Sequence, residues 1–328
     1  MQYFVRHLTR FTYTSAVTES VMELRMQPRT DGRQRCLRFD TTTTPRAQVF
    51  GYHDYAGNAV HYFDIPGRHT RLDVVAEAAV EILPYDDLPD RLSADAWPRI
   101  DAMRHTEDVW DWLTPGGFAI ETPALREFSL AIGVARDGDP LDVLQRLTEK
   151  LYEALAYQPS TTQVDSTIDV ALAARAGVCQ DFAHIMTSLV RGLGIPCRYV
   201  SGYIAPREAG HDRSTEHATH AWVEARLPDL GWIGFDPTNN MIARERHIAV
   251  AVGRDYGDVP PTRGVFKGGA GSELGVAVSV SRAERPLQTH ELTPSVSWIS
   301  SERTAEAHNA AEAQHRQFQQ QQQQQQRQ

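Results

Sequence analysis

The stretch Gly177-Val178-Cys179-Gln180-Asp181-Phe182-Ala183-His184, "GVCQDFAH", runs on through residues 185–196 as "IMTSLVRGLGIP". Phe182, Ile185, Met186, Leu189, Val190 and Leu193 fall on one helical face, and Gly194 followed by Pro196 supplies the stop. The spacing predicts a buried helix that opens at Cys179. At such a position the unpaired N–H groups and the helix dipole favour the thiolate, lowering a cysteine pKa from about 8.5 towards roughly 3.5–7.5. The same N–H groups can receive the oxyanion of a tetrahedral intermediate. Taken alone, the motif fits a small buried hydrophobe equally well. His184 lies about 140° around the helix from Cys179 and reads as a packed or capping residue. Asp181, in the first turn, complements the dipole.

A base for Cys179 is found in residues 219–240, "THAWVEARLPDLGWIGFDPTNN". Ala221, Val223, Ala225 and Leu227 alternate with His220, Trp222, Glu224 and Arg226, which puts His220 on the polar face of a strand. The chain turns near 228–231 and returns with Ile233 and Phe235 as core positions. Asp236 then comes within a couple of residues of the level of His220. A carboxylate beside an imidazole fixes its tautomer and stabilises imidazolium. Cys179, His220 and Asp236 thus read as nucleophile, base and orienter.

The rest of the chain frames this centre. Its 328 residues suffice for two domains, and a net charge of -9 argues against general binding to nucleic acid or an anionic membrane. The N-terminus lacks a signal-peptide core and no segment reaches about 18 apolar residues, so a cytoplasmic protein is expected. Cys36, Cys179 and Cys197 are too few and too scattered for a disulfide framework, and Cys36 and Cys197 read as small buried residues. His211, His217 and His220 with a thiol match no standard metal spacing, so neither metal nor cofactor is expected. Residues 1–83 alternate as strands, for example Leu72, Val74, Ala78, Val80 and Ile82, with a hairpin turn at Ala56-Gly57-Asn58. Residues 84–121, rich in proline and aspartate, suit a linker or covering segment. Helical spacing follows over about 122–131 and 140–155, within a catalytic domain placed at 122–300. The glutamine-rich residues 301–328 are expected to be disordered.

The motifs "GVCQDFAHIMTSLVRGLGIPCRYVSGY", "HAWVEARLPDLGWIGFDPTNN" and "VAVGRDYGDVPPTRGVFKG" together resemble bacterial members of the transglutaminase-like superfamily. Residues 7–29, "HLTRFTYTSAVTESVMELRMQPR", resemble the β-rich domain found with that core. The resemblance implies an α+β fold, with a papain-like core in which the cysteine helix packs on an antiparallel sheet, preceded by a β-sandwich-like domain. It places the catalytic roles on Cys179, His220 and Asp236. The expected chemistry is thiol-dependent acyl transfer on amide bonds of a peptide or protein, chiefly hydrolysis by a peptidase, amidase or deamidase. Glutamine-lysine cross-linking and a non-catalytic peptide-binding module are the alternatives. Gln180 stands where the animal cross-linking enzymes carry tryptophan, and no calcium loop of the EF-hand kind is present. Tyr157, Gln158, Gln180, Trp222, Arg254, Asp255 and Tyr256 are candidate substrate contacts. The first two are also candidates for the second oxyanion donor.

Overall fold

The computed structural model describes residues 1–207, 210–214 and 218–283, and the backbone of 297–298. The first module contains β1 (Gln2–Val17), β2 (Glu19–Leu24), β3 (Gln34–Thr44), β4 (Phe50–His53), β5 (Ala59–Ile65) and β6 (His69–Ile82). The hairpin between β4 and β5 turns at the expected residues: the Asp54 carboxylate accepts the Ala56 and Asn58 N–H groups, and Gly57 takes the positive φ.

Residues 84–121 are more than a linker. They hold α1 (Ala96–Met103) and α2 (Trp110–Leu113). Next come α3 (Pro123–Ala131) and α4 (Pro140–Ala154), both with proline in the first turn and a side-chain cap, Thr122 on the Leu125 N–H and Asp139 on the Leu141 N–H. The short strand β7 (Ala156–Tyr157), α5 (Ile168–Ala174) and β8 (Ala176–Gly177) lead into α6 (Cys179–Gly192). The chain continues through β9 (Cys197–Ile204), β10 (His220–Leu227), β11 (Gly231–Asp236), β12 (Met241–Ala243), β13 (His247–Gly253), β14 (Thr262–Lys267), β15 (Ser272–Arg282) and β16 (Ser297–Trp298).

Three main sheets result, with strand orders β15-β1-β6-β3, β14-β2-β5-β4-β16 and β12-β11-β10-β9-β13. The first two form a sandwich whose contact includes Tyr13 against Phe266 and Phe39 against His61. Both β14 and β15 belong to that sandwich: Tyr3 faces Arg282 and Leu24 faces Thr262. The catalytic-domain boundary expected at 122–300 is therefore crossed, because the chain returns to pair with β1 and β2. Alternation within a strand marks a half-buried face but does not reveal its partner. Residues 301–328 lie outside the described set.

The third sheet carries the site. Helix α6 packs Phe182, Ile185, Met186, Leu189 and Val190 onto one face, against Val223, Ala225, Ile233 and Phe235. On the other face Val109 and Trp112, from the 84–121 segment, pack with Val200, Trp222 and Val252. The sandwich closes the edge at β13. Gln34 Oε1 accepts the Ala249 N–H at 2.9 Å while its Nε2 donates to Ala249 O at 2.7 Å. Asn58 does the same for Val252, with both distances 2.8 Å. Two side-chain amides thus satisfy backbone groups that an open edge would leave without a sheet partner.

Candidate active site

Cys179 is half-buried at the first turn of α6. The carboxylate of Asp181 reaches back to accept the Val178 N–H at 2.8 Å and the Thr162 hydroxyl at 2.6 Å. This contact explains the glycine ahead of the motif, since a Cβ on Gly177 would lie 2.6 Å from Asp181 Oδ2. Burial raises the Asp181 pKa, against the opposing pull of these two donors. Thr162 ties the 158–167 loop to this turn. So does Gln180 Nε2, which donates to Val164 O at 2.8 Å. Gln180 therefore helps hold the loop against the cysteine turn.

β10 and β11 form the expected hairpin, with Val223 opposite Phe235, so that Asp236 lies near the level of His220. His220 Nε2 is 2.7 Å from Asp236 Oδ2. Oδ2 also faces His247 Nε2 at 3.0 Å and Asn239 Nδ2 at 2.8 Å, while Oδ1 accepts the Thr238 and Asn239 N–H groups at 3.0 and 3.2 Å. Five donors on one carboxylate hold it ionised although no part of it is exposed. Burial alone raises its pKa, but the two imidazoles outweigh this and hold it well below the usual carboxylate range. For His220 burial lowers the pKa, whereas the charge and hydrogen bond of Asp236, followed by a hydrogen bond and charge from Cys179, raise it above the ordinary value. With Nε2 engaged by Asp236, the buried Nδ1 is the nitrogen left for the Cys179 thiol.

The polar-face reading of β10 needs correction. His220 is 3% exposed and Trp222 1%, because β10 is the central strand of a sheet covered on both sides. Trp222 offers no face to a substrate. It lies against the His220 ring at 6.0 Å and meets the His247 ring edge-on at 5.1 Å. Room for its indole comes from Gly202 on β9, where a Cβ would lie 2.7 Å from the ring and 2.1 Å from Ile248 O.

The Gly253–Gly264 loop is held by hydrogen bonds of its own. Arg254 pairs with Asp258 through two hydrogen bonds of 2.9 and 3.0 Å. Asp255 is 2% exposed and accepts N–H groups from Phe118, Ala119 and Gly257. Tyr256 donates its N–H to His184 Nε2 at 3.1 Å. His184 is buried and stacks on Phe118 with ring centroids 5.4 Å apart. Burial lowers its pKa to about 4, consistent with a packed neutral residue. Tyr157 and Gln158 do lie beside the cysteine turn: Tyr157 pairs with Gly177, and the Gln158 N–H donates to Gly177 O at 2.9 Å. Gln158 is exposed there. Cys197 is fully buried and Cys36 half-buried.

Two members of the cluster escaped the sequence reading. Asn239 follows Asp-Pro in a turn-like "PTNN", and His247 opens an apolar strand. Neither shows a spacing that points to Asp236, and only the folded sheet brings them there. His220, Asp236 and His247 set ligand-type atoms within 4.8 Å of one another. Both Nε2 atoms are already hydrogen-bonded to Oδ2, so the arrangement is that of a hydrogen-bonded cluster. His217 lies outside the described residues. Among the described residues, no helix is long and apolar enough to cross a membrane.

Family models agree with this architecture. Residues 129–237 match the transglutaminase-like superfamily core, and residues 3–81 match the bacterial transglutaminase-like N-terminal region. An uncharacterized protein of Mycobacterium leprae is 35% identical over 280 residues, covering 85% of this chain and 98% of that protein. A protein-glutamine gamma-glutamyltransferase of Pseudomonas aeruginosa is 35% identical over 107 residues, which is 32% of this chain and 16% of that one. Among solved structures, a candidate cysteine protease from Cytophaga hutchinsonii shares the fold at a TM-score of 0.69 and 20% identity, covering 89% of this chain and 96% of its own. By its paired motifs, its sheet and its relatives, the chain belongs to the transglutaminase-like superfamily.

Proposed function

We propose that this protein is a thiol-dependent acyl-transfer enzyme acting on amide bonds, with Cys179 as nucleophile, His220 as acid and base, and Asp236 as the group that orients and charges His220. The observation that carries this reading is the buried His220–Asp236 pair beside a cysteine at a helix N-terminus. A buried imidazolium needs a reason to be charged, and an ionised Asp236 together with a thiolate supplies one.

In the proposed cycle the Cys179 thiolate attacks the amide carbonyl, forming a C–S bond and an oxyanion. First-turn N–H groups of α6 receive that charge, and Tyr157 and Gln158, beside Gly177, are the candidates for the second donor. The imidazolium gives its proton to the departing amine as the C–N bond breaks, leaving a thioester. Water, losing a proton to His220, then attacks the thioester and releases the acid with Cys179 as thiolate. Hydrolysis is favoured over cross-linking because Gln180 occupies the tryptophan position of the animal cross-linking enzymes. The name of the Pseudomonas relative supports transamidation as the second reading, with a lysine amine in place of water.

Incubation with a mixed peptide pool containing glutamine and lysine, read by mass, separates the two. Cleaved or deamidated products absent from Cys179→Ala are expected. Amine adducts without hydrolysed products would move the assignment to transamidation, and peptide binding without turnover would leave a binding module.

A further inference from the structure

Asp236 serves two imidazoles, only one of which the proposed reaction uses. His247 enters from β13, at the edge of the sheet beyond β9, and its Nε2 lies 3.0 Å from the same Oδ2 that faces His220. Its ring is buried, and its Nδ1 has no hydrogen-bond partner among the described residues. An ionised carboxylate can only accept, so Nε2 must carry the proton. A second proton on Nδ1 would leave a buried donor unpaired, with a charged neighbour whose ring centroid is 6.0 Å away at His220.

We propose that His247 is a positioning residue for the Cys179 centre: as a neutral imidazole it donates Nε2–H to Asp236, fixes the rotamer of that carboxylate, and takes a share of its negative charge. The inference rests on the Cys179–His220–Asp236 reading and goes beyond it by naming what sets the strength of the orienter. An unassisted Asp236 would be a stronger acceptor for His220. With His247 and Asn239 also donating, that basicity is divided, and the imidazolium is kept able to give up its proton. Burial lowers the pKa of His247, in keeping with the neutral form; against it stand the hydrogen bond and charge of Asp236, while His220 and Arg246 add to the lowering. The groups that bear on His220 are Asp236 from β11, Cys179 from α6 and His247 from β13.

The test is titration of the His220 ring by nuclear magnetic resonance, with the pH profile of Cys179 alkylation, in wild type, H247L and H247Q. Neither measurement needs a substrate, so failure to find amide turnover would sink the proposed reaction and leave this test standing. In H247L the His220 pKa is expected to rise by about half to one unit, since one donor to the carboxylate is lost. H247Q, whose amide N–H can replace that donor, should return it towards wild type. A His220 titration unmoved in H247L would overturn the proposal. Should H247L fail to fold, the wild-type spectrum decides: protons on Nε2 of both rings are expected. A proton on Nδ1 of His247, or stoichiometric zinc holding both Nε2 atoms, would overturn it.

Discussion

Replacing Asp236 with asparagine tests the centre most severely, because the two side chains have nearly the same shape and differ in charge. Among the described residues, the five hydrogen-bond partners of the carboxylate are all donors. An amide can turn its oxygen to only one side, so its NH2 group must face either His220 or the Thr238 and Asn239 N–H groups. The buried imidazolium also loses its counter-charge, and removing one partner of such a pair costs about 3–5 kcal/mol. With an unfolding entropy of about 2.1 cal/mol/K per residue, a chain of 328 residues should lose about 4–7 °C in Tm. The effect has a definite pH window. His220 is raised, so its contribution is complete below an unfolded pKa near 6.5 and fades as pH rises towards about 10. Asp236 is lowered, so its contribution is complete above about 3.8 and fades on acidification. The gap between wild type and Asp236→Asn should therefore be widest between about pH 4 and 6.5. With Asp236 neutral, burial pushes His220 towards its uncharged form. The thiolate then loses the imidazolium beside it, and a free cysteine, with its ordinary pKa near 8.5, is only about one part in 300 thiolate at pH 6. Iodoacetamide labelling of Cys179 at pH 6, read by peptide mass, should accordingly slow on the order of 100-fold. A folded variant that labels within threefold of wild type would refute this account of the pair.

Burial pushes the Cys36 and Cys197 thiols up to about 12, so at pH 7 iodoacetamide should modify Cys179 alone; equal labelling of Cys197 in folded protein would contradict the packing. Gly202→Ala sets a methyl 2.1 Å from Ile248 O and 2.7 Å from the Trp222 ring, and should destabilise by about 1–3 kcal/mol in urea unfolding. An unchanged midpoint would mean that the indole does not lie where the structure has it. Asn58→Ala leaves the Val252 N–H and C=O without their amide partner and should cost about 1–3 kcal/mol; a loss confined to a separate sandwich transition would show that the edge of β13 is not held there.

Much of the centre was legible because it rests on local periodicity. The apolar stripe of α6, the cysteine at its first turn and the β10–β11 hairpin are set by spacings of 3.6 and 2 within short stretches, and the turn at 228–231 fixes which residues come level. The proline-headed starts of α3 and α4 were readable for the same reason. The sequence by itself therefore determined the helix, the hairpin and the juxtaposition of His220 with Asp236. Whether a strand face meets solvent or a second layer depends on chain far away. Only the tertiary structure decided that Trp222 is buried under Trp112, and that Asp255 holds Phe118 and Ala119. It also decided that β14 and β15 complete the N-terminal sandwich, and that His247 reaches Asp236 across the end of the sheet. Each of these is a long-range contact, fixed when packing and hydrogen-bond satisfaction are met over the whole molecule at once, and no residue spacing along the chain records it.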